Sequence, residues 1–171
     1  FFRTMAEFIK PVSDKSDRIG FCFSYPTEIF PDKDGRLIQF CKEVQAPEVI
    51  GQVIGKSLLE ALGTPGKKIV LLNDTVATLL AGKSASFGKT YDSFIGFILG
   101  TGTNTCYIES NVNIAKNPEL NPARSMIINV ESGNFNKAPR TELDIAFDNT
   151  TMNPGNYSFE KMFSGGYFGG L

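Results

Sequence analysis

The residues best equipped for chemistry are an aspartate, Asp74, and a Gly- and Thr-rich hexapeptide, Leu99-Gly100-Thr101-Gly102-Thr103-Asn104. The hexapeptide joins the apolar run Phe94-Ile95-Gly96-Phe97-Ile98-Leu99 to Thr105-Cys106-Tyr107-Ile108-Glu109, so it reads as the tip of a β-hairpin. A turn of this kind gathers backbone N–H groups with no bulky side chain between them, and such a cluster can hold an anion such as phosphate. The hydroxyls of Thr101 and Thr103 add donors. A plain hairpin whose glycines only make the turn accounts for the same residues, and this motif alone leaves both readings open. Two other phosphate patterns are excluded. A Rossmann fingerprint requires a third glycine where Thr105 stands, and a helix where this chain predicts a strand. A Walker A loop ending in Gly88-Lys89-Thr90 requires a glycine at the position of Lys83.

Asp74 follows the strand-like run Ile69-Val70-Leu71-Leu72 and precedes Thr75-Val76-Ala77-Thr78-Leu79-Leu80-Ala81, which reads as helix. Ligands of open α/β sheets gather beyond the carboxyl ends of strands, which is where Asp74 stands. The same aspartate is also a good helix N-cap, and the two roles are compatible. The chain has no histidine, which removes Ser-His-Asp and Cys-His catalysis and the commonest metal ligand. A general base must then be a carboxylate, lysine, tyrosine or cysteine.

The 171 residues suffice for one domain or two partial ones, and 42% hydrophobic with 20% charged residues is an ordinary globular composition. A net charge of −1 without a basic run argues against nucleic acid or an anionic membrane as partner. No apolar run approaches the roughly 18 residues that span a bilayer. Cys22, Cys41 and Cys106 lie far apart, an odd number without C-x-x-C spacing, so reduced thiols in a cytoplasmic protein are expected. The chain begins at Phe1 rather than methionine and is expected to be a piece of something longer.

The elements that must position these residues follow from hydrophobic spacing. Phe1, Met5, Phe8 and Ile9 predict a helix face ended by Pro11. Ile19-Gly20-Phe21-Cys22-Phe23 predicts a strand buried on both faces, and Leu37-Ile38-Gln39-Phe40-Cys41 a second strand after the Pro31-Asp32-Lys33-Asp34-Gly35 turn. Pro47 opens a predicted helix carrying Val49, Ile50, Val53, Ile54, Leu58 and Leu62, capped by Gly63. Strand, turn, strand, helix, strand is an α/β order with a crossover. After the hairpin, Ser125-Met126-Ile127-Ile128-Asn129-Val130 predicts the third strand of a meander. A short helical piece is expected at residues 143–147, and a helix at 158–170 is weakened by four glycines.

Taken in order, these motifs resemble the hexokinase family of the eukaryotic type. Ile19-Gly20-Phe21-Cys22-Phe23-Ser24-Tyr25-Pro26 and Leu37-Ile38-Gln39-Phe40-Cys41-Lys42 resemble the two halves of its sugar signature. Leu71-Leu72-Asn73-Asp74-Thr75-Val76-Ala77-Thr78-Leu79 is similar to the segment with its catalytic aspartate, and Gly100-Thr101-Gly102-Thr103-Asn104 to its second phosphate loop. Asn129-Val130-Glu131-Ser132-Gly133-Asn134-Phe135 and Asn153-Pro154-Gly155 through Phe159-Glu160-Lys161-Met162-Phe163-Ser164-Gly165 complete the set, which covers nearly the whole chain.

The resemblance implies an α/β, actin-like (ribonuclease-H-like) architecture whose two lobes close over a sugar. Residues 1–72 would belong to the small lobe and 73–171 to the lobe junction and the start of the large lobe. It implies ATP-dependent phosphorylation of the 6-hydroxyl of a hexose such as glucose, the first step of glycolysis. Asp74 would be the general base, and Ser24, Lys42, Asn73, Asn104, Glu131 and Glu160 would bind the sugar. Thr101 and Gly102 would meet the phosphoryl group of ATP, with Mg2+ neutralising charge. The alternative is a non-catalytic sugar-binding sensor on the same fold. Singly, Lys42, Glu131 and Glu160 also read as solvated charges and Ser24 as a strand-end residue. Phe40-Cys41 departs from the family's Trp-Thr, and Ser132 from its tryptophan, which removes a hydroxyl donor and an aromatic wall. The family's first phosphate hairpin and its adenosine-binding region fall outside these residues, so this stretch alone is expected not to turn over.

Overall fold

The structure, a computed structural model, describes residues 1–41 and 43–170. It divides into two compact units, Phe1–Asn73 and Asp74–Leu171.

In the first unit, α1 (Phe2–Ser13) packs on α2 (Ile54–Leu62), and β1 (Arg18–Cys22) pairs in parallel with β4 (Lys68–Leu72). Between them, β2 (Thr27–Ile29) and β3 (Gly35–Leu37) form an antiparallel hairpin. The parallel pair with α2 between its strands is the expected crossover. The core gathers Leu37, Val49, Ile54, Leu58, Ile69 and Leu71. Gly63, at φ 72, ends α2 as read from the sequence.

Five local expectations are corrected. Pro11 lies inside α1 without ending it. The helix interior tolerates it because proline removes only one bond, to the carbonyl of Glu7, and both residues are solvent-exposed. The buried face of α1 runs through Phe2, Met5, Ala6, Ile9 and Ser13, leaving Phe8 81% exposed. Strands β1 and β4 alternate between buried or half-buried and exposed positions, because only one of their faces meets the helices. The second predicted strand ends at Leu37, and the helix expected from Pro47 is broken into a 3-10 turn, Pro47–Val49, and α2. Leu37 causes both changes: it exchanges bonds with the next segment, its N–H donating to Gln52 (3.1 Å) and its C=O accepting from Gly51 (2.9 Å, φ 82), which separates the 3-10 turn from α2.

In the second unit, α3 (Asp74–Ser84) lies on an antiparallel meander of β5 (Ile95–Leu99), β6 (Thr103–Ser110) and β7 (Ser125–Asn129). Leu99 pairs with Thr103, so the hexapeptide is the hairpin tip. The short helix α4 (Glu142–Asp148) starts in a capping box: the Asp144 N–H donates to the Thr141 hydroxyl, and Asp144 accepts the Thr141 N–H. The Thr141 hydroxyl and N–H hold the Asp144 carboxyl below its ordinary range. The helix expected over 158–170 is only α5 (Ser158–Phe163), after which Gly165 and Gly166 turn the chain. No helix among the described residues is long and apolar enough to cross a membrane.

Candidate functional site

In the first unit, Ser24 and Asn73 come together because they follow β1 and β4, adjacent parallel strands in which Cys22 stands opposite Leu72. The Phe23 N–H extends the pairing to the Leu72 C=O at 2.8 Å. Both residues are half-buried at the carboxyl end of the sheet. Beside them the Tyr25 ring meets Phe23 and Phe40 edge-on, at 5.3 and 4.8 Å between centroids. Burial, then the nearby Cys41, raises the Tyr25 phenol above its ordinary range. Phe40 and Cys41, the two departures from the sugar signature, are both buried. Lys42 lies outside the described residues.

In the second unit the hairpin tip is pinned from beneath. The N–H groups of Gly165 and Gly166 donate to the carbonyls of Gly100 (2.7 Å) and Thr101 (2.9 Å), and the Gly100 N–H donates to Gly102 O at 2.9 Å. The backbone N–H groups of Thr101 and Gly102 and the Thr101 hydroxyl donate to no acceptor among the described residues. These donors at the tip of a rigid turn fit an anionic oxygen.

Asn104 and Glu131 share one hydrogen-bond network. The Asn104 amide donates to Asn129 Oδ1 (2.7 Å) and to Glu131 Oε1 (3.3 Å), and Asn129 Nδ2 donates to the same Glu131 oxygen at 2.7 Å. The N–H of Ser132 donates to Asn104 Oδ1 at 3.3 Å, so the residue in place of a tryptophan contributes through its backbone. Glu131 adopts φ 56, a left-handed conformation disfavoured for a residue with a Cβ. Strain of this kind at a carboxylate points to function. Glu160, 4% exposed, is held at the residue next to Asn104 in sequence: its Oε2 accepts the Thr103 N–H at 2.8 Å.

Asp74 is the first residue of α3, and its Oδ1 accepts the Thr75 N–H at 2.9 Å. The next carbonyl, that of Thr75, accepts the Cys106 thiol at 3.3 Å. Burial pushes that thiol above its ordinary range, partly offset by a backbone hydrogen bond at Gly96. Strand alternation puts Asn104 on the same face as Cys106, about 7 Å nearer the tip. Asp74, Asn104, Glu131, Glu160, Thr101 and Gly102 are thus positioned by one helix–sheet unit. Sequence reasoning did not single out Asn129, which links Asn104 to Glu131; a polar residue closing an otherwise apolar strand was the available signal.

Two sequence profiles, both described as Hexokinase, match residues 1–84 and 94–171. The chain belongs to the hexokinase family. Among the hexokinase relatives, Hexokinase-1 of Spinacia oleracea is 37% identical over 99% of this chain and 34% of its own length. Hexokinase-10 of Oryza sativa subsp. japonica is 39% identical over 88% of this chain and 30% of its own. The solved hexokinase from Schistosoma mansoni complexed with glucose superposes with a TM-score of 0.80 at 29% identity, over 98% of this chain and 40% of that one. A second hexokinase crystal structure gives 0.71 at 30% identity, over 99% of this chain and 39% of that one. The fold is therefore the actin-like one of the solved hexokinases. The chain spans about a third of the length of the curated hexokinases it matches.

Proposed function

We propose that this chain is the sugar-binding and base-carrying part of an ATP:hexose 6-phosphotransferase, cytoplasmic and glycolytic, acting on glucose or a similar hexose. The observation that carries the reading is the gathering of Asn104, Glu131 and Glu160 beside a hairpin tip with unused amide donors, under the helix that begins at Asp74. A solved relative is complexed with glucose. On this reading residues 1–72 belong to the small lobe and 73–171 to the junction and the start of the large lobe.

A sugar presents neighbouring hydroxyls, each both donor and acceptor. Ionised Glu131 and Glu160 accept from them, Asn104 and Asn73 both donate and accept, Ser24 offers a hydroxyl, and Lys42 donates. Holding the hexose by these groups leaves its 6-hydroxyl to Asp74, which takes the proton as the oxygen attacks. ATP with Mg2+ supplies the phosphoryl group and neutralises charge. On this reading the amides of Thr101 and Gly102 and the Thr101 hydroxyl would meet the phosphates; that they donate to no acceptor among the described residues supports this. Among the described residues no group of three His, Cys, Asp or Glu side chains could hold a metal ion.

The deciding experiment is Asp74→Asn in the full-length protein. Loss of a general base is expected to lower kcat roughly 10²–10⁴-fold. Glucose affinity, measured by calorimetry, is expected to change only a few-fold. Unchanged turnover would remove Asp74 as base, and an unsubstituted protein that binds sugar without turnover would establish the sensor.

A further inference from the structure

Helix α5 has six residues and starts from Tyr157 at φ 56 without a side-chain cap. A helix of less than two turns does not hold its own orientation. Consecutive residues project about 100° apart on a helix, so whatever fixes Lys161 also fixes Glu160. Lys161 is 3% exposed, and its Nζ donates to Asp148 Oδ1 and to the Asn153 C=O, both at 2.6 Å. The second Asp148 oxygen accepts from Arg140 and from the Gly155 N–H, each at 3.0 Å. Asp148 thereby ties the end of α4 and the 153–155 turn to the middle of α5. Burying a charge pair is a costly way to gain stability, which an apolar pair achieves as well or better; what the ion pair adds is a defined geometry.

We propose that Asp148 and Lys161 are a positioning pair that sets the rotation of α5 and thereby aims the Glu160 carboxylate at the sugar, an inference that rests on the sugar-kinase reading above. Neither residue touches substrate. Their effect passes through the one-residue step from Lys161 to Glu160 and through the Thr103 N–H that Glu160 accepts. Because Glu160 contacts the sugar and not the nucleotide, the pair governs one KM and not the other.

The test is kinetic, in the full-length protein, with Lys161→Met, Asp148→Asn and the double variant. Lys161→Met leaves Asp148 held by Arg140 and Gly155, so the fold survives while the tether is cut. Its hexose KM is expected to rise on the order of tenfold, the size of a typical coupling between contacting residues. The KM for ATP should stay within about twofold and kcat within about threefold. The double variant should be no worse than the worse single one, since the two residues act as a unit, and it carries the test if a single variant proves insoluble. A wild-type hexose KM in Lys161→Met, equal rises in both KM values, or strictly additive effects would overturn the positioning role and leave the sugar-kinase reading standing. An unsubstituted protein that phosphorylates no hexose would overturn both.

Discussion

Asp148 accepts hydrogen bonds from two cationic side chains, Lys161 and Arg140, and from the Gly155 N–H. Burial alone pushes its carboxyl up, but hydrogen bonds from Lys161, the Gly155 N–H and Arg140, with the Lys161 charge, outweigh burial and hold it below the ordinary range. A carboxyl lowered on folding contributes stability that is fully present above its unfolded pKa, roughly pH 4, and is lost as pH falls through its folded value. The melting temperature is therefore expected to drop as pH falls below about 4. Asp148→Asn is expected to flatten that slope in acid, while costing about 3–5 kcal/mol at neutral pH because it strands the buried ammonium of Lys161. Thermal melts across this pH range read both effects, and an unchanged acid slope would show that other carboxylates dominate. The residue scale also marks where sequence reading ended. Asp74, Asn104, Glu131 and Glu160 were named from their motifs, but which charges are buried was not legible. Lys161 and Glu160 look like surface residues in the string and are both nearly inaccessible, because their partners Asp148 and Thr103 are many residues away.

At the scale of elements, the contact that places Asp74 is the seat of α3 on the sheet. A Cβ built on Gly96 would lie 2.6 Å from both the Cys106 Sγ and the Thr75 carbonyl oxygen, with Leu79 Cβ at 3.0 Å. Two of the three obstacles belong to the helix and cannot rotate away. Gly96→Ala is expected to destabilise the unit by about 1–3 kcal/mol, the usual range for overpacking. If Asp74 is the base proposed above, it should also lower kcat more than it raises either KM, since it lifts the helix that begins at Asp74. Paired melts and steady-state kinetics check it; a stable variant with full kcat would show that α3 can shift without moving Asp74. The meander, the crossover and the start of α3 were largely legible, because their apolar periods are long and their turns carry Gly, Pro or Asp, whereas α3 runs three residues past the expected end at Ala81. The errors fell on short elements: β2 was not foreseen, the helix from Pro47 was broken by the pull of Leu37, and α5 was read too long. In each case a few distant backbone hydrogen bonds overrode local pattern.

At the scale of the whole molecule, the second unit carries a face that its own elements leave bare. Strand alternation puts Ile95, Phe97 and Leu99 opposite the face that α3 covers, and they are 76, 54 and 58% exposed. Three neighbouring large apolar side chains on one sheet face exceed the scattered exposure usual for a free surface. The chain also spans about a third of its hexokinase relatives. On the proposed reading, the donors that the described residues offer a phosphate are the tip amides of Thr101 and Gly102 and the Thr101 hydroxyl. Phosphoryl transfer depends almost wholly on positioning and charge stabilisation, and these few neutral donors are a small part of what a triphosphate requires. The 171 residues expressed alone are therefore expected to give no steady ATP-dependent sugar phosphorylation, whereas the full-length protein should turn over. A coupled assay that follows hexose 6-phosphate with each protein at equal concentration decides it. Sustained turnover by the short chain would mean that the hairpin tip and Asp74 suffice for catalysis, and would overturn the division of labour argued here.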